Sequence, residues 1–127
     1  MSENSTWSLD DLVGTYCRAW SEPDAAARQR LLDEAWDEDG TYTDPLADVA
    51  GRGALHAHIG ASFADFPGMV IAATSAVDAH HDKGRFSWQL TMPDGSVPLA
   101  GTDFVQVTTD GKIGSIVGFL GPLPAKA

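Results

Sequence analysis

The sequence predicts an α+β fold in which helices cover one face of a curved antiparallel sheet. Three observations lead there. The first half holds three stretches with helical apolar spacing, and the second half holds β-rich runs. Those runs are separated by the hairpin signals Asp82-Lys-Gly84, Pro93-Asp-Gly95 and Asp110-Gly111. Helices and strands segregated in this way define the class.

In the first helix Ser8 is the N-cap, and Asp11 three residues later is the acidic half of a capping box. Trp7 and Leu12 occupy the positions of a hydrophobic staple. Leu9, Leu12, Val13, Tyr16 and Trp20 form one apolar stripe, which predicts a helix over 9–20 with Tyr16 pointing inward. Ser21-Glu-Pro-Asp24 repeats the start signal, with Pro23 in the first turn of a second helix. Leu31, Leu32, Ala35 and Trp36 are its buried side. Asp37-Glu-Asp-Gly40 ends it, with Gly40 suited to a left-handed C-terminal position. A short strand, Thr41–Asp44, follows. Residues 45–53, bracketed by Pro45, Gly51 and Gly53, read as a loop. A third helix is predicted over 54–65, with Leu55, Ile59, Ser62, Phe63 and Phe66 on one face and Pro67-Gly68 as its stop. Strands are predicted over 69–81, 85–92, 97–108 and 112–120.

All 127 residues read as one domain, with no repeat, low-complexity segment or linker. Eighteen acidic residues against eight basic give a net charge of −10, which opposes a nucleic-acid or anionic-membrane partner. No stretch approaches the roughly 20 apolar residues of a membrane helix. Cys17 is the single cysteine, so no intrachain disulfide can form and a reducing compartment is expected. The opening Met-Ser-Glu-Asn-Ser-Thr-Trp has neither the basic flank nor the apolar run of a signal peptide, so the expected location is cytoplasmic.

Alternation along the strands says which side chains share a face. The hairpin turns place His80 across from Phe86, Trp88 near Gly101, Phe86 near Asp103, and Asp103 near Val117. One face then carries His80, Phe86, Trp88, Leu90, Met92, Asp103, Val105, Val107, Val117 and Phe119, and it is the core face. The other carries Arg85, Ser87, Gln89, Thr91, Thr102, Gln106 and Gly118, with Phe104 and Leu120 among them. A carboxylate on a core face is costly unless it is protonated, paired or used. Asp103 is therefore a candidate functional group.

Tyr16-Cys-Arg-Ala-Trp20, then Trp36-Asp-Glu-Asp-Gly-Thr-Tyr-Thr-Asp-Pro45 and a Gly-rich lead into a helix, resemble the nuclear transport factor 2-like superfamily. The run Gly101-Thr-Asp-Phe-Val-Gln-Val-Thr-Thr-Asp-Gly-Lys-Ile113 resembles the late hairpin of its SnoaL-like branch. The resemblance implies a cone-shaped fold, three helices on a curved, mostly antiparallel sheet enclosing an apolar pocket. Ketosteroid isomerase is the closest chemical template. By that template Asp44, before Pro45, is a general base, and Tyr16 and a protonated Asp103 are oxyanion donors. Trp20, Phe63, Phe86, Trp88 and Phe119 are the implied substrate-binding wall.

His80, read as inward, keeps a dehydratase or cyclase open. The Asp–Arg–Asp pattern of limonene-type epoxide hydrolases is missing: Ser87 stands two after Arg85, and Ser115–Gly121 holds no carboxylate. No cofactor and no metal are expected. His56 and His58 are two apart on a helix, and His80 and His81 adjacent on a strand should point oppositely. Cys17 reads as inert packing, and Gly51-Arg-Gly53 is too short for a phosphate loop. Asp44 keeps a local reading too, because Asp before Pro commonly opens an Asx turn. The expected partners are a small apolar ligand or substrate and a second copy of the chain. Two classes remain open, a cofactor-independent acid–base enzyme and a non-catalytic ligand-binding module.

Overall fold

The computed structural model describes residues 8–127, so the Trp7 half of the expected staple lies outside the described residues. Helix α1 spans Leu9–Trp20, with the Ser8 side chain accepting the Asp11 N–H. Helix α2 spans Ala25–Ala35 and is capped by Asp24, whose carboxylate accepts the Ala27 N–H. Pro23 therefore precedes the cap and is not in the first turn. Strand β1, Trp36–Asp44, starts directly where α2 stops and is longer than the four residues expected. Gly40 sits inside this strand and ends no helix. A Cβ there would stand 2.5 Å from Trp36 Nε1, so the glycine serves the close approach of that indole.

Pro45 and Leu46 form the turn of a hairpin. Strand β2, Ala47–Ala50, pairs antiparallel with β1 where a loop was expected. Gly51, at φ +96°, then turns the chain into helix α3, Arg52–Asp65. The expected long strand over 69–81 is two short ones, β3 (Val70–Ala73) and β4 (Asp78–His80). Both pair with β5, Lys83–Thr91, on one side. Strands β6 (Leu99–Val107) and β7 (Ile113–Leu120) complete the sheet in the order β2-β1-β7-β6-β5-β3. Among the described residues only the β1–β7 pairing is parallel; the other five are antiparallel.

Register decides which residues reach the core. The middle hairpin is as expected, with Phe86 opposite Asp103 and Trp88 opposite Gly101. The first hairpin turns at His81-Asp82, placing His80 opposite Lys83 and not Phe86. An odd displacement reverses the face, and all of β4 is exposed. The last hairpin starts in the expected register, Val107 opposite Ile113, and then slips by one, so that Gln106 faces Ser115. Gly114 is the extra residue of this bulge. Asp103 consequently pairs with Gly118, not Val117. Val117 and Phe119 turn outward, 40% and 57% exposed, while Ile116 and Gly118 turn inward.

The core lies between the helices and the concave sheet face. Leu12, Val13, Tyr16, Trp20, Leu32, Trp36, Leu55, Ile59, Phe86, Leu90, Val105, Ile113 and Ile116 are buried in it. Tyr16 stacks on Trp36, with ring centroids 5.5 Å apart at an interplanar angle of 18°. Arg28, buried between α2 and α3, lies over the Phe63 ring at 5.7 Å and hydrogen-bonds the Glu22 carbonyl.

Candidate active site

The concave side of the sheet, α1 and α3 enclose a cavity of about 220 Å³. Tyr16, Cys17 and Trp20 come from α1, and His58, Ser62 and Asp65 from α3. Tyr42 and Asp44 come from β1, Phe86 and Trp88 from β5, and Asp103 from β6. Tyr16 and Trp20 are four apart on one helical stripe. Tyr42 and Asp44 are two apart on one strand face, so each pair enters the cavity together. The cavity opens past Leu46 and Asp65, both exposed.

The two buried-side carboxylates stand in one row across the sheet. Asp103 on β6 faces Gly118 on β7, and Gly118 lies beside Asp44 on β1. A Cβ at Gly118 would come 2.7 Å from Asp103 Oδ1 and 3.5 Å from Asp44 Cβ. The missing side chain is what lets both acids face the same space. Gly101 makes room for Trp88 and β7: a Cβ there would collide with the Phe119 carbonyl oxygen and stand 3.0 Å from the Trp88 indole. Trp88 crosses above it and donates Nε1–H to Asp103 Oδ1 at 2.9 Å. Gly118→Ala is therefore expected to push Asp103 away from Trp88 and to cost about 1–3 kcal/mol of stability, checked by chemical denaturation.

The environments of the two acids differ. Asp103 is 5% exposed, and burial pushes its carboxyl up to about 7; Asp44 nearby adds to the rise, against the Trp88 hydrogen bond. Asp44 is half-buried. It accepts the Leu46 N–H at Oδ1 (2.8 Å) and the Tyr42 hydroxyl at Oδ2. The Leu46 contact is the Asx turn expected from Asp44-Pro45, so the turn and the cavity position coexist. Tyr16 is held well above the ordinary phenol range, first by burial and then by Asp103. Burial also pushes the Cys17 thiol up to about 12, so it stays protonated within the packing.

Of the residues singled out in the sequence, Tyr16, Trp20, Asp44, Phe86, Trp88 and Asp103 meet at the cavity. Three do not. His80 ends the exposed strand β4; its Nδ1 is 3.0 Å from that of His81, which has a φ of +55°, so the two rings meet and do not splay apart. Phe119 is carried outward by the β7 bulge. Phe63 is turned away beneath Arg28 and does not line the cavity. Sequence reading missed Tyr42 and His58. Tyr42 shares a strand face with Asp44, and His58 follows Leu55 by three on the α3 stripe, so periodicity held a signal for both. His58 contacts Trp20 and Tyr42, at centroid distances of 5.7 and 5.9 Å.

No Lys or Arg among the described residues lines the cavity. Among the described residues, no group of three or more His, Cys, Asp or Glu is clustered to hold a metal ion, and no helix is long and apolar enough to cross a membrane.

Residues 13–116 match the SnoaL-like domain family, most of the chain. The chain belongs to the SnoaL-like family. Within that family it is similar to a proposed isomerase from Agrobacterium tumefaciens strain C58. The two share 38% identity and superpose with a TM-score of 0.83, over 88% of this chain and 96% of that one. A proposed ketosteroid isomerase from Kribbella flavida DSM 17836 shares the fold at 18% identity, with a TM-score of 0.67 over 93% of this chain and 81% of that one. A proposed polyketide cyclase from Sinorhizobium meliloti does so at 21% identity and a TM-score of 0.68, over 87% and 94%. No protein of curated function matches the sequence. The nuclear transport factor 2-like cone expected from the sequence is the fold of this SnoaL-like chain.

Proposed function

We propose that this SnoaL-like protein is a cofactor-independent acid–base enzyme that moves a double bond in a small, uncharged carbonyl compound through an enolate. The observation that carries the reading is the carboxylate pair flanking Gly118, one hydrogen-bonded and half-buried, the other buried with its proton retained to about pH 7. A buried acid that keeps its proton beside a second, hydrogen-bonded carboxylate offers an acid and a base in one site. Asp44 takes the proton from the carbon between the carbonyl and the double bond. The C–H electron pair moves into the carbonyl, and the oxyanion is met by Tyr16 and protonated Asp103. Asp44 then returns the proton at the far end of the dienolate, leaving a conjugated ketone and the enzyme unchanged. A lining without cations suits a neutral substrate and repels carboxylates and phosphates. The Agrobacterium relative's name supports the isomerase class.

The test is conversion of small β,γ-unsaturated ketones, followed by the absorbance of the conjugated product and by deuterium uptake in heavy water. Turnover is expected, with kcat/KM falling as pH rises through about 7 and Asp103 loses its proton. Saturable binding with neither exchange nor isomerisation would instead make the cavity a ligand-binding module. One observation favours a second reaction in the same site. His58 inside the cavity gives a cyclase or dehydratase a second proton carrier, so water loss from β-hydroxy ketones belongs in the same assay.

The outer sheet face supports a homodimer. Phe104 and Phe119, 44% and 57% exposed, pack edge to face at 5.9 Å, beside exposed Val117. Outward Ser87, Gln89, Thr102 and Ser115 near them are uncharged, and Arg85, opposite Phe104, is paired with Asp78. A chain carrying −10 meets its own copy best where carboxylates are few or already paired. Phe119→Glu is expected to convert a dimer to a monomer in sedimentation experiments without loss of fold; a wild-type monomer would remove this proposal.

A further inference from the structure

We propose that Tyr42 is a positioning residue that holds Asp44 in its ionised, proton-accepting orientation through the hydrogen bond between the Tyr42 hydroxyl and Asp44 Oδ2. The inference rests on Asp44 being the base. It adds a residue that the template from the first-helix Tyr and the strand Asp does not contain.

The geometry of β1 builds the pair. Tyr42 and Asp44 lie two apart on one strand face, and the phenol runs back along that face to reach the carboxylate. The ring is fixed before it makes that contact. It is 6% exposed, packed against Trp20 at 5.5 Å and His58 at 5.9 Å. Asp44 Oδ1 is held from the other side by the Leu46 N–H. The carboxylate plane is thereby set by one donor on each oxygen. Each oxygen still has a lone pair free to take a proton from carbon.

The groups facing Asp44 make these donors important. From α1 come Tyr16 and Cys17, from α3 His58 and, at the mouth, Asp65, and from β6 Asp103. Lys and Arg are missing from this set, and Asp103 and Asp65 are acids themselves. Stabilisation of the Asp44 charge falls to hydrogen bonds, of which Tyr42 supplies the one from a side chain. Burial, and donation to Asp44, push the Tyr42 phenol well above its ordinary value, so the donor keeps its proton across the working pH range. That proton is committed to Asp44. Tyr42 is therefore not an oxyanion donor, and that role stays with Tyr16 and Asp103.

Tyr42→Phe separates positioning from packing, because the ring contacts with Trp20 and His58 survive. On a β,γ-unsaturated ketone the variant is expected to lose about 10–100-fold in kcat, the range for a hydrogen bond to a charged group. KM should stay within about 2-fold, because the enlarged apolar wall still binds the ketone. The alkaline limb of the pH–rate profile, near 7 and set by Asp103, should stay in place. A rise in KM that matches the loss of kcat overturns the inference, as does an unchanged kcat. A second measurement stands apart from activity. Urea unfolding of Tyr42→Phe, Asp44→Asn and the double variant tests the pair directly: where the hydroxyl bonds the carboxylate, the losses of stability are less than additive. Additive losses show that the pair does not form in solution, and the inference fails whatever the enzyme catalyses. If the losses are less than additive but the wild type turns over no ketone, the pair stands and the isomerase reading, with the positioning role built on it, is lost.

Discussion

Asp44→Asn is expected to reduce kcat for enone isomerisation by about 10²–10⁴-fold, the usual contribution of a positioned general base. The amide keeps the size of the acid and can still accept the Leu46 N–H through its oxygen, so the Pro45-Leu46 turn should survive. What it lacks is basicity. Binding should therefore persist. Trp20 and Trp88 line the cavity, and quenching of their fluorescence by a saturated ketone should give a dissociation constant within about 3-fold of wild type. Unaltered turnover would remove Asp44 from the chemistry. A matched loss of binding and rate would make it a binding group only.

Asp103→Asn is expected to stabilise the protein at neutral and alkaline pH. The Asp103 carboxyl is displaced from 3.8 to about 7 in the folded chain, which corresponds to about 4 kcal/mol as an order of magnitude. The sign follows from the direction. A raised folded-state value means the folded protein holds a proton that the unfolded chain has lost. The stability from this group is complete below about pH 4, declines as pH rises, and is lost above about 7. Asparagine cannot ionise, so the difference in unfolding free energy, variant minus wild type, should be flat at low pH and climb between those limits. The lowered carboxyls of Asp82 and Asp94 act in the opposite direction and below that window, so they do not mask it. Urea unfolding at several pH values measures the difference; a pH-independent difference would show that Asp103 titrates normally. Retaining an acid here at such a cost to stability is the pattern expected of a functional group.

The parts of the fold read most closely from sequence are those set by local chemistry. The Ser8 cap and the stripe through Tyr16 and Trp20 define α1 to the residue, because helix periodicity and capping are near-neighbour effects. The middle hairpin was legible because its turn and its alternation agree on one register. The same alternation placed Asp103 on the inner face. Asp44 was legible through its Pro45 context and the family resemblance.

The errors arise where a distant strand decides. Gly40 carries a helix-ending signal, yet it lies in a strand because the Trp36 indole needs its surface. Ala47–Ala50 is too short to announce itself and becomes a strand by pairing with β1. His80 and Phe119 were put on the wrong face by hairpin shifts of odd length, one from a two-residue turn and one from a bulge at Gly114. An odd shift costs little locally but inverts every side chain beyond it. Phe63 left the cavity wall because Arg28 from another helix covers it.

By itself, then, the sequence determined the helices with caps, the α+β class, the SnoaL-like resemblance and the three polar residues Tyr16, Asp44 and Asp103. Tertiary structure alone decided that the two acids flank Gly118, that Trp88 bonds one and Tyr42 the other, and that His58 replaces His80 at the cavity. Those are pairings between elements far apart in the chain. They depend on strand register and helix placement, which are fixed by the packed core as a whole and not by any local run of residues.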